Sequence, residues 1–114
     1  MPYGQYATDS APSPVFKTGV FERIKKIETR AGTLKYQHIK AEDIITFVCE
    51  KDRFQKKIKK VSIFKTISAL TKKYKPLEIN PQCTTLKALT AMYMSFPHYR
   101  EKIKQYGLVA FKLK

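Results

Sequence analysis

The stretch KDRFQKKIKKVSIFKTISALTKKYK, residues 51 to 75, carries ten Lys or Arg and one acidic residue, Asp52. Phe54, Ile58, Val61, Phe64, Ile67, Leu70 and Tyr74 are threaded through it, three or four residues apart. That spacing predicts a helix with one apolar edge, the lysine stems lying along it with their ammonium groups in water. Pro76 disfavours helical geometry in the residue before it, so the helix should end by Lys75. Lys56, Lys57, Lys59 and Lys60 would then crowd the start of the helix, where the dipole opposes cations. Folding does not ask for them there, which points to an anionic partner.

A chain of 114 residues is one domain by size and buries a modest core. Residues 1 to 14, MPYGQYATDSAPSP, hold three of the six prolines and a single charge, Asp9, and read as a flexible arm. Residues 15 to 114 read as a single basic domain. Apolar residues make up 43% of the chain and the aromatics are seven Tyr and seven Phe, the composition of a packed globule. A net charge of +14 costs stability by self-repulsion and attracts polyanions: RNA, DNA, an anionic membrane or an acidic protein. No apolar run reaches the ~20 residues of a membrane span, and the N-terminus has no secretory pattern, so the expected location is intracellular.

Residues 15 to 39 admit two readings. Val20, Ile24, Ile27 and Ala31 fit a helix capped by Gly32. Alternatively VFERIKKIE and TLKYQHI form a β-hairpin around TRAG, which the β-branched and aromatic content favours. Glu42 and Asp43 suit a helix start before the apolar stripe Ile44, Phe47 and Val48. PLEINPQC is a connector. TTLKALTAMYMSF predicts a helix capped by Thr84 or Thr85, with Leu86, Leu89, Met92, Tyr93 and Phe96 on its apolar side. PHYREKIKQY predicts a second, ended by Gly107. In LVAFKLK, Val109, Phe111 and Leu113 alternate with Ala110, Lys112 and Lys114, a half-buried strand with a basic outer face. The expected fold is α+β: a small sheet, made of the N-terminal hairpin and the C-terminal strand, packed with about four helices.

The sequence has no phosphate-binding glycine loop, nucleophile elbow or zinc-protease motif. Its acidic residues, nine in all, do not cluster as metal-dependent catalysis requires. Cys49 and Cys83 lack C-x-x-C spacing, and Cys49 in IITFVC reads as a core thiol. Widely scattered His38 and His98 make a poor metal set with them, and a lone His98 beside Tyr99 and Arg100 is more simply structural than an acid–base centre. The expectation is a non-enzymatic protein without cofactor or metal.

Nucleic-acid binding accounts for the charge best. Arg53, Lys56, Lys57, Lys59, Lys60, Lys72, Lys73 and Lys75 are the expected phosphate contacts, which position without reading sequence. Tyr36 and Tyr74 are candidate stacking residues. Lys predominates over Arg, the better reader of guanine edges, so shape-tolerant binding is expected, of RNA ahead of DNA and possible within a larger RNA–protein particle. TLKALTAMYMSFPHYREKIKQYG followed by a strand has the outline of a helix-turn-helix with one wing, although its turn is Phe-Pro. The alternative is a basic scaffold on anionic membrane or acidic proteins. In its favour, FPHYREKIKQYGLV (Phe96 to Val109) and VSIFKTISAL (Val61 to Leu70) resemble short pieces of vesiculovirus-type rhabdovirus matrix proteins, membrane- and nucleocapsid-binding proteins that drive budding. That resemblance spans about a fifth of the chain and transfers no functional residue.

Overall fold

A thirteen-residue strand, not a helix, occupies the lysine-rich stretch. The computed structural model describes residues 15–17 and 26–114. In chain order they form β1 (Val15–Lys17), β2 (Ile27–Ala31), α1 (Leu34–Gln37), β3 (Ile44–Cys49), β4 (Asp52–Phe64), α2 (Ile67–Lys73), α3 (Pro76–Ile79), α4 (Leu86–Met94), α5 (Tyr99–Tyr106) and β5 (Leu108–Leu113). The fold is α+β, as expected. The sheet has five strands in the order β1-β3-β4-β5-β2, with β1 parallel to β3 and the other pairs antiparallel.

The 4-3 spacing that imitates a helix comes from a bulge. Phe54 and Ile58 are four residues apart and share one face of β4, as even spacing in a strand requires. Between Ile58 and Lys60 the register with β5 shifts, and Lys59 is the extra residue. A bulge adds one residue to the count, so Val61, three beyond Ile58, returns to the same face. The acidic pair before β3 also departs from expectation. Glu42 sits at φ 76° in a turn, and the Asp43 carboxylate accepts from the Lys40 N–H at 3.0 Å.

The expected N-terminal hairpin does not form. β2 runs straight through ETRA, and the following LKYQ coils into one helical turn, α1. Ile27 and Ala31 therefore lie on a strand; Val20, Ile24 and the arm, 1–14, fall outside the described residues. The three later expectations hold in outline. Thr85 caps α4, its hydroxyl accepting from the Ala88 N–H at 3.1 Å, and Gly107 closes α5. The connector contains α3, with Pro76 at its first position, where a missing N–H is harmless. Thr85→Ala should cost about 1 kcal/mol in chemical denaturation, the usual penalty for a lost N-cap.

β5 is a central strand, buried on both faces rather than one. Leu108 and Ala110 face a core built with Leu70, Leu89, Tyr93 and Ile103 of the helices. Val109, Phe111 and Leu113 face a second core with Phe16, Ile45, Phe47 and Ile58. The sheet curls around this second core. As a result Arg30 of β2 lies 4.6 Å over the ring of Phe16 in β1, although those strands stand at opposite ends of the strand order. Cys83 is buried on the helix side. The side chain of Cys49, read as a core thiol, is outside the described residues. Among the described residues no helix is long and apolar enough to cross a membrane.

Candidate nucleic-acid interface

β4 changes partners half-way. Asp52 to Cys49 begins its pairing with β3, which ends at Lys57 opposite Ile44. Pairing with β5 runs from Ile58 opposite Leu113 to Phe64 opposite Leu108. Strand alternation then sorts the basic residues by face. Lys56 lies opposite Ile45, a residue of the concave core, and is half-buried. It therefore stands on the opposite face of β4 from Arg53 and Lys57. Arg53, Gln55 and Lys57 turn to the other side, opposite Val48, Thr46 and Ile44. All three are exposed. Past the bulge, Lys60 on that side lies opposite Lys112.

The result is an outward row of Arg53, Lys57 and Lys60, with Lys112 beside it and exposed Lys59 at the bulge. Like charges directly opposite one another weaken a sheet, so the Lys60–Lys112 pair does not serve folding. Compensation by acid is slight. Glu42 lies 3.8 Å from Lys57 Nζ and is shared with Lys114 at 3.1 Å. Among the described residues, Arg53, Lys59 and Lys60 have no carboxylate within 4 Å.

Lys72, Lys73 and Lys75 are exposed on or just after α2. They belong to the helical layer and not to the row. From Lys60 to Phe64, where β4 leads toward α2, is about 13 Å of extended chain. Tyr74 is not a stacking platform. It is 6% exposed and packs edge-to-face on Phe64 at 6.2 Å, because the turn after α2 folds its ring into the helix-side core.

Tyr36 stays half-exposed. Its ring meets Phe16 edge-on at 5.4 Å, and Lys35 Nζ lies 5.5 Å from its centroid. It forms one wall of a half-open cavity of about 270 Å³. Tyr106, Gln37, Val61, Ile63 and Val109 also line that cavity. Nothing in the sequence singled out Tyr106. Its place just before the strand-entry Gly107 was the available signal. Lys112 was legible as the outer face of a strand, but not as the cross-strand neighbour of Lys60.

On β2, Arg30 pairs with buried Glu28. Burial lowers the Arg30 pKa, against the raising influence of Tyr36. On the helix side, Tyr93 shares a hydrogen bond with Thr29. Burial pushes the Tyr93 phenol up to about 12, although the Thr29 bond acts the other way. Below pH 10 the phenol is neutral both folded and unfolded. Above it the unfolded chain ionises first, so stability present below pH 10 should drain away as pH rises toward 12. Urea titrations at pH 9 and 11 should show a larger loss in the wild type than in Tyr93→Phe, which has no phenol to ionise there.

The fold resembles that of PF0455 from Pyrococcus furiosus. The two are 25% identical with a TM-score of 0.68, over 88% of this chain and 96% of that one. The hypothetical protein PH0355 is 23% identical with the same TM-score, over 88% of this chain and 97% of its own. Neither name states an activity, and the likeness carries the architecture. No family model matches the sequence, and no curated protein matches it.

Proposed function

We propose that the protein is a non-enzymatic nucleic-acid-binding protein that contacts phosphates through the outward face of β4. The observation carrying this reading is the sparsely compensated row: Arg53, Lys57, Lys59 and Lys60 on one strand, of which only Lys57 has a carboxylate within 4 Å among the described residues, with Lys112 set opposite Lys60 at a cost to the sheet. Side chains on one face of a strand repeat every ~6.7 Å. Arg53 and Lys57, with Gln55 between them, therefore stand ~13 Å apart, and Lys60 follows past the bulge, so the sheet presents cations at fixed separations to the phosphates of one backbone. Lys72, Lys73 and Lys75 extend the positive field on the helical layer. RNA remains the favoured partner over DNA, and assembly into a larger RNA–protein particle is compatible with the short positive face.

The alternative, a basic scaffold on anionic membrane or acidic proteins, draws less support from this fold on its membrane side. An amphipathic lysine helix was the element expected to lie on lipid. Val61 to Phe64 belong to a strand instead, and α2 spends Leu70 on the core.

Anisotropy titrations of a labelled 20-nucleotide RNA, between 50 and 300 mM salt, test the reading. Affinity should fall linearly on a log–log plot with a slope steeper than about −2, equivalent to three or more released counterions on single strands. No binding at 50 mM salt would defeat it.

A further inference from the structure

We propose that the cavity between α1 and β4 accepts one unpaired nucleobase of the bound strand, which makes the preferred ligand single-stranded. This rests on the nucleic-acid reading above and adds to it a defined pocket.

The volume, about 270 Å³, lies just under the range of about 300–1,000 Å³ typical of drug-sized ligands. It suits a planar ring rather than an extended cofactor. The lining is what base recognition uses. Tyr36 and Tyr106 supply aromatic surface, and Val61 and Ile63 supply an apolar floor. Gln37 supplies a polar edge. One of its amide hydrogens goes to the Gly32 carbonyl at 3.0 Å, which leaves its carbonyl oxygen and a second N–H for a ligand. Base edges present both donors and acceptors, so a single amide can meet them.

The position follows from the strand exchange in β4. Glu42 and Asp43 make the last backbone bonds to β4 from the β3 side, both at Ile58. From Lys59 onward no described strand covers that side, and Val61 and Ile63 line the cavity instead. Lys60 and Lys59 stand one and two residues before the floor residue Val61, at the strand edge, with Lys60 turned to the other face. Across the cavity, Lys35 adds a cation beside the Tyr36 ring. A strand held by the outward row would pass over the uncovered edge of β4 to the concave face, where Lys35 stands beside Tyr36, and there turn a base into the cavity. A duplex keeps its bases stacked and paired and cannot use the pocket without flipping one out.

The test compares three probes of matched phosphate number: a single-stranded RNA decamer, the same backbone with abasic positions, and a blunt duplex of equal total charge. Wild-type protein should bind the decamer at least tenfold more tightly than the abasic strand. Tyr36→Ser and Tyr106→Ser should each erase most of that preference and leave the salt slope unchanged. Ile63 is 67% exposed at the cavity, so Ile63→Glu should do the same without threatening the fold. Amide shifts at Gly32 and Gln37 on adding a uridine or adenosine monophosphate give a second readout. Equal affinity for decamer and abasic strand, or a preference untouched by all three variants, would overturn the pocket and leave phosphate binding standing. Failure of all three probes to bind at 50 mM salt would overturn both.

Discussion

Replacing Arg53, Lys57, Lys59 and Lys60 together by Gln should lower the salt dependence of nucleic-acid binding by nearly three log units of affinity per log unit of salt. Each released counterion contributes about 0.7 to the slope on a single strand, and four are removed. Near 0.1 M salt the affinity should drop by about 10²–10³-fold on the same arithmetic. All four residues are exposed, and among the described residues none but Lys57 has a carboxylate within 4 Å. The variant should therefore fold, and relief of like-charge crowding near Lys112 should leave it no less stable. Lys56→Gln is the internal control. Lys56 shares a face with Ile45 over the concave core, so it should alter denaturation more than it alters the salt slope. A slope unchanged in the quadruple variant, or lowered as much by Lys56→Gln alone, would show that the outward row is not the contact surface.

Gly107→Ala should be among the most destabilising single changes available. Gly107 adopts φ 76° and ψ −167°, a region essentially reserved for glycine. It also has no room. A Cβ there would lie 2.5 Å from the Phe64 carbonyl oxygen, where β4 and β5 pair at Leu108. The alanine must both strain the backbone and prise open the end of a central ladder. A loss of about 3 kcal/mol or more follows. For a domain of this size that corresponds to a fall in Tm of ~15 °C. Gly32→Ala offers the comparison. Its Cβ would meet the Tyr106 carbonyl oxygen at 3.0 Å, without the positive φ, so its loss should be distinctly smaller. A Gly107→Ala protein melting within a few degrees of wild type would contradict this account of the α5–β5 junction.

Local signals were legible where one residue decides the geometry. Thr85 placed the start of α4, Pro76 stopped α2, Gly107 ended α5, and the alternation from Val109 to Leu113 declared a strand. Each acts through a cap, a missing donor or a permitted φ, all local physics. The charge row was legible too, as a set of residue types without a shape.

Tertiary structure decided the rest, because a strand's identity depends on what lies beside it. A bulge at Lys59 gave β4 the spacing of a helix, and pairing with β3 and β5 was needed to resolve it. That pairing sent Lys56 inward and Lys57 outward, where a helix would have kept neighbouring lysines together. The fold of the turn after α2 buried Tyr74. The curl of the sheet, and the ending of β3 at Ile44, opened the cavity beside Val61 and Ile63. Amino-acid order determined that the chain is basic, packs a core and carries α4, α5 and β5. Long-range hydrogen bonding determined which of its cations share a face, since alternation across a sheet is fixed by register and register is set by distant partners.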